Sequence, residues 1–197
     1  MDNMDWGKEP DLERLRRLHA LLSNNPHDAL PGLEELAQEG SAASTLYLAD
    51  FYMGNHKDEN KARFWYTKAH EQGVPQASYM LGRLRYKSHD YEGALEAFSK
   101  GAEKGYAPAI YRLAKMYQHG DGTAKNVFEY KRLLEEAWSK GHVFAKRDLA
   151  GLLLTGRFGV FSAARGALLL LGLWSDIALL TAKAVKPGST FDERVLA

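Results

Sequence analysis

Four glycines set the frame of this 197-residue chain. Gly40, Gly73, Gly105 and Gly141 each close a run of helical periodicity, at spacings of 33, 32 and 36 residues. A small residue follows four positions after each: Ser44, Ala77, Ala109 and Ala145. Four positions further on stands a leucine (Leu48, Leu81, Leu113, Leu149), and directly after it Ala49, Gly82, Ala114 or Ala150. Tyr52 and Tyr117 come three residues later, with Arg85 and Leu153 in the divergent copies. Small residues at helical spacing let two helices approach closely, and leucine and tyrosine fill the gap between them. The glycine supplies the left-handed cap that turns the chain back. A period near one helical hairpin, each copy leaving an apolar face for the next, predicts an all-α solenoid.

Earlier and later segments fit the same rhythm with less regularity. Asp11 to Leu22 reads as a helix with Leu12, Leu15, Leu18, Leu21 and Leu22 on one face and Arg14, Arg16 and Arg17 mostly off it. Ser23-Asn24-Asn25-Pro26 ends it, because proline disfavours the helical conformation before it. A second helix is expected from about Asp28 to Gln38, with Leu30, Leu33, Leu36 and Ala37 on its inner side. The pairs then run at about 11–40, 41–73, 74–105, 106–141 and 142–185 within one domain. A flexible lead (1–10) precedes them and a tail (186–197) follows.

The clearest copy is Lys61-Ala62-Arg63-Phe64-Trp65-Tyr66-Thr67-Lys68-Ala69, closed by Gly73. With Leu48-Ala49 and Tyr52 it resembles the Sel1-like branch of the tetratricopeptide-repeat superfamily. Leu81-Gly82 with Gly93-Ala94, Phe98, Lys100-Gly101 and Gly105 matches in part. Leu113-Ala114, Tyr117 and Gly120-Asp121-Gly122 keep the glycine loop, while the helix carrying Tyr130, Leu133, Leu134 and Ala137 has drifted. Leu149-Ala150, Gly156 and Gly159-Val160 open a fourth copy whose second half departs from the pattern. The resemblance spans about residues 40–160 and implies a right-handed superhelix with the first helix of each repeat lining a concave face. Trp65, Tyr66, Phe98 and Leu133 are then core residues between hairpins.

The same resemblance assigns groove positions relative to the leucine of each copy. These are Leu46, Asp50, Met53 and Gly54; Tyr79, Arg83, Tyr86 and Lys87; Tyr111, Lys115, Gln118 and His119; and Arg147, Gly151, Leu154 and Thr155. Paired tyrosines beside paired cations, with Arg147 extending the row, suit an extended peptide bearing acidic side chains or a free carboxylate. The expected partner-binding residues are therefore Tyr79, Arg83, Tyr86, Lys87, Tyr111, Lys115, Gln118 and Arg147. A solvated helix face is the plain alternative.

The segment Gly166 to Trp174, continued by Ile177 to Leu180, is apolar all round. Arg165 and Asp176 bracket it, and it falls short of the roughly 20 apolar residues of a membrane span. Three readings stay open: a buried helical cap, a surface for a partner or for self-association, or an interfacial membrane contact. The second would use Leu169, Leu170, Leu173, Trp174 and Ile177.

Chemistry of other kinds finds little footing. Twenty-six Lys and Arg against 25 Asp and Glu leave a net charge of +1, with no bulk attraction to nucleic acid or anionic lipid. Cysteine is absent, which excludes disulfides, thiolate catalysis and cysteine-bound metals. The seven histidines form no i,i+4 pair, and His70 and His119 read as surface or capping residues at a helix end and a loop start. Gly120-Asp121-Gly122-Thr123-Ala124-Lys125 lacks both the preceding strand and the ending of a phosphate loop. Glu135-Glu136 and Asp58-Glu59 have no partner that would split their pKa values. No secretory signal is evident at Met1 to Trp6, so a cytoplasmic protein is expected. The sequence reading is a non-enzymatic scaffold or adaptor without cofactor or metal. A membrane-peripheral assembly factor, or a regulatory subunit docking through the apolar C-terminal helix, is its alternative.

Overall fold

The computed structural model describes residues 7, 9–54, 57–159 and 161–172. The chain divides into two compact units, Met1–Tyr106 and Ala107–Ala197, and the division falls just after the third glycine.

Unit 1 contains α1 (Leu12–Leu22), α2 (Pro26–Gln38), α3 (Ala42–Gly54), α4 (Glu59–Glu71), α5 (Pro75–Lys87) and α6 (Tyr91–Glu103). Unit 2 contains α7 (Ala107–His119), α8 (Val127–Ser139) and α9 (Val143–Leu154), followed by helix over 161–172. Within each unit every helix packs on its chain neighbours, as in a stack of hairpins. The fold is thus an all-α helical-repeat solenoid, and no strand occurs among the described residues.

Local chemistry fixes where each helix starts and stops. Asp11, Asp58 and Asp90 each accept the backbone N–H of the third residue on, at 2.8, 3.1 and 3.0 Å. Asn126 caps α8 through Phe128 and Glu129, both at 3.1 Å. α2 begins at Pro26, two residues before the position expected from its apolar pattern. Proline at the first helical position loses no bond, since that N–H has no helical partner.

The repeat glycines do the same work four times. Gly40, Gly73, Gly105 and Gly141 have φ of 100°, 80°, 72° and 89°. The residue after each donates its N–H to the carbonyl five back: Ser41 to Leu36, Val74 to Ala69, Tyr106 to Gly101 and His142 to Ala137, at 2.9 to 3.1 Å. This is the Schellman closure that only a left-handed residue permits without strain.

The cores follow the small-residue pattern. Ser44, Ala77, Ala109 and Ala145 are buried, as are Leu48, Leu81, Leu113 and Leu149. Trp65, Tyr66, Phe98 and Leu133 are also buried. At Gly82 a Cβ would stand 2.6 Å from Phe98, so the glycine admits the ring. Leu15 and Leu22 are buried on α1, but Leu21 is exposed, which narrows the inner face expected there. The lead is engaged at Glu9, whose carboxylate accepts the Ala43 N–H at 3.0 Å and the Ser41 hydroxyl at the start of α3. Residues 1–6 and 173–197 lie outside the described residues, and with them most of the expected lead and all of the tail.

Candidate functional site

In unit 1 the groove residues share no common fate. Tyr79 is only 4% exposed, and its ring packs at 6.1 Å from Phe98 and 5.8 Å from Tyr106. It is a core residue, which corrects the expectation of a partner contact. Gly82, one turn on in α5, admits the Phe98 ring of α6 that covers it. Arg83 is exposed, with its guanidinium 5.7 Å above the Tyr79 ring. Tyr86 is exposed and meets Tyr91 edge-on at 5.1 Å. Lys87 pairs with Glu59 of α4 at 2.6 Å. Asp50 accepts the Tyr66 hydroxyl at 2.6 Å, and burial together with that carboxylate drives the phenol pKa strongly upward.

In unit 2 the groove residues converge. An open cleft of about 460 Å³ is lined by Lys115 and Gln118 of α7, Tyr130 of α8, and Arg147, Asp148, Gly151, Leu152 and Thr155 of α9. Asp148, which the sequence reading did not single out, organises it. Its carboxylate accepts from the Tyr111 hydroxyl at 2.9 Å, Lys115 Nζ at 3.3 Å, and Arg147 Nε and Nη2 at 2.9 and 2.8 Å. Burial works against the charged form of Asp148. The bonds from Arg147 and Tyr111 and the charge of Lys115 outweigh it and hold the carboxyl below its usual range. Burial and the same hydrogen bond push the Tyr111 phenol up to about 12. Two cations and one carboxylate line the cleft, which leaves an excess of one positive charge. His142, at the N-terminus of α9, stacks on the Tyr111 ring at 4.4 Å and 22°. Its Nδ1 accepts the Ala145 N–H at 3.2 Å, which requires the proton on Nε2. Burial, reinforced by Arg112, lowers its pKa to about 4.

A second histidine departs from expectation. His70 is buried, not a surface cap, because its ring fills the junction of α4, α5 and α6. Its Nδ1 lies 2.8 Å from Ser78 Oγ and its Nε2 3.3 Å from Lys100 Nζ. Ser78 in turn donates to the Val74 carbonyl at 3.2 Å. A serine and histidine in contact resemble a nucleophile and its base, but the third group is a cation. It disfavours the imidazolium that a base must form, and burial lowers the His70 pKa first of all. Ser78 is itself buried, so the chain of bonds ties three helices together. Among the described residues no group of three or more His, Asp or Glu could hold a metal ion.

At the C-terminal end of the described chain, Gly166 presses on α9, where a Cβ would stand 2.8 Å from the Ala150 carbonyl oxygen. That contact turns Leu169 inward and leaves Leu168 and Leu171 69% and 71% exposed, with Leu170 partly so and Phe161 94% exposed. Of the residues expected to form a second interface, Leu169 is therefore buried, and Leu173, Trp174 and Ile177 lie outside the described residues. No helix among the described residues is long and apolar enough to cross a membrane.

Helical hairpins closed by repeated glycine caps, with a polar cleft between first helices, define a helical-repeat protein of the tetratricopeptide-like kind. Known proteins narrow the class. Protein sel-1 homolog 2 of Mus musculus is 32% identical over 108 residues, covering 52% of this chain and 16% of that protein. An exopolysaccharide production negative regulator of Rhizobium meliloti is 37% identical over 67 residues, covering 34% of this chain and 25% of the relative. The crystal structure of a Sel1 repeat protein from Oxalobacter formigenes superposes with a TM-score of 0.69 at 28% identity. It covers 80% of this chain and 50% of that one. In sequence and in fold the chain is similar to Sel1-like repeat proteins. No protein-family model matches it. The matched stretch spans a quarter or less of these two curated relatives.

Proposed function

We propose that the chain is a non-enzymatic protein-interaction module whose unit 2 cleft captures a carboxylate-bearing segment of a partner protein. The observation that carries this reading is the convergence of Lys115, Gln118, Arg147, Gly151 and Thr155 on one open cleft. Its volume falls in the range of about 300–1,000 Å³ in which small groups are commonly seated. Asp148 and Tyr111 hold Lys115 and Arg147 in place before any ligand arrives, which lowers the cost of ordering them on binding. Two N–H groups of Arg147 engage Asp148 while its side chain stays 56% exposed, so the guanidinium is poised for a second carboxylate.

A displayed library of random octapeptides with free C-termini tests the proposal. It is selected against the wild-type chain and against the Lys115→Ala/Arg147→Ala double variant, with circular dichroism verifying that the variant is folded. The wild type should enrich peptides rich in Asp and Glu or sharing a C-terminal residue, and the folded variant should not. Absence of enrichment, or the same peptides from both proteins, would overturn the reading.

A further inference from the structure

Gly151 is out of place by every local rule. It sits inside α9, where glycine is less favourable than alanine because it exposes backbone and leaves more chain entropy to lose. Three other helical glycines have a packing reason, while Gly54, which also has open space, is the last residue of α3. A Cβ at Gly32 would meet Leu18 at 2.8 Å, at Gly82 Phe98 at 2.6 Å, and at Gly166 the Ala150 carbonyl at 2.8 Å. At Gly151 a Cβ would meet nothing within 4 Å, and the backbone there is not left-handed. Space and conformation would both accept a side chain.

The repeat makes the omission sharper. Two residues after the repeat leucine the successive copies carry Asp50, Arg83, Lys115 and Gly151. Three copies place a charged side chain at this position and the fourth places none. The bare position faces the cleft between Lys115 of α7 and Arg147 and Thr155 of α9.

Resting on the reading of the cleft as a peptide site, we propose that Gly151 is its specificity-determining residue. The exposed Cα of Gly151 forms the floor on which the ligand chain lies, so that a carboxylate can reach Arg147 and Lys115 from above. A side chain at this position occupies that floor. The cleft therefore selects an acidic segment thin enough to pack against bare backbone, such as one with glycine, alanine or serine beside the carboxylate. A ligand with a bulky residue there is held off that floor, away from Arg147 and Lys115.

The octapeptide selection is repeated with full-length Gly151→Ala and Gly151→Leu, and both variants are melted by circular dichroism. Gly151→Ala should melt about 2–4 °C above wild type, as expected for a helix glycine without a packing role. Gly151→Leu should fold, yet bind the peptides enriched by wild type at least tenfold more weakly, and those peptides should carry small residues beside the acid. A lowered melting temperature for Gly151→Ala would assign the glycine to packing and overturn the proposal. Wild type and Gly151→Leu selecting the same peptides with equal affinity would overturn it alone, leaving the cleft intact as a site. A wild type that selects nothing removes the site and this role together.

Discussion

At Asp148 three donors from two helices meet one carboxylate, and the half-buried geometry makes that meeting costly to lose. Asp148→Ala strands the Tyr111 hydroxyl and leaves Lys115 and Arg147 facing each other. It should destabilise unit 2 by about 1–3 kcal/mol, read as a shifted midpoint in urea. His142 adds a pH dependence of definite sign. The unfolded chain takes up a proton near the ordinary value of 6.5, and the folded chain only near 4. Between those values the unfolded state binds more protons, so stability is complete above pH 6.5, falls as acid is added, and levels off below 4. The charged groups facing the ring are Arg112, which adds to the effect of burial, and Asp148, which opposes it. The loss should amount to at most about 3 kcal/mol. His142→Asn keeps a cap acceptor without a titrating ring and should flatten the acid limb; equal slopes for both proteins would remove His142 from the explanation.

Between elements, fit decides more than charge. The Gly82 Cα lies under the Phe98 ring, so Gly82→Ala should cost about 1–3 kcal/mol by overpacking, the opposite sign from Gly151→Ala. Trp65 is buried against Lys68 and Phe64, and Trp65→Ala should cost about 3–5 kcal/mol in thermal or urea unfolding. The elements themselves were legible in the sequence because caps and glycines act locally: Asp58, Asp90 and Gly73 dictate their helix ends wherever the hairpin sits. The site was only partly legible. Lys115, Gln118 and Arg147 could be placed by repeat register, since a helix carries fixed positions to one face. Asp148 could not, because it stands one residue from Leu149 and its role depends on how far α9 is rotated toward Tyr111 and Lys115. Tyr79 misled for a related reason. Register sets the direction in which its side chain leaves the helix, whereas burial depends on how closely Phe98 and Tyr106 approach. The fate of the C-terminal leucines turned on one contact, Gly166 against α9, which no periodicity reveals.

Over the whole molecule, positive and negative charges nearly cancel at +1, so the long-range field toward an acidic ligand is weak. Association with the selected octapeptides should therefore proceed near the unsteered rate of about 10⁵–10⁶ M⁻¹s⁻¹ and change little with salt. Stopped-flow fluorescence at low and high ionic strength checks this, and a steep fall with salt would reveal a steering field that the composition does not supply. What the repeat scaffold contributes is position: two first helices, α7 and α9, hold two cations, a carboxylate and the side-chain-free Gly151 around one cleft. That claim is tested most directly by a nitrogen-15 amide NMR titration of the full chain with a wild-type-selected octapeptide. The largest shifts are predicted at Lys115, Gln118, Arg147, Asp148, Gly151 and Thr155. Shifts gathered instead at Phe161, Leu168 and Leu171, with the cleft amides unmoved, would contradict it.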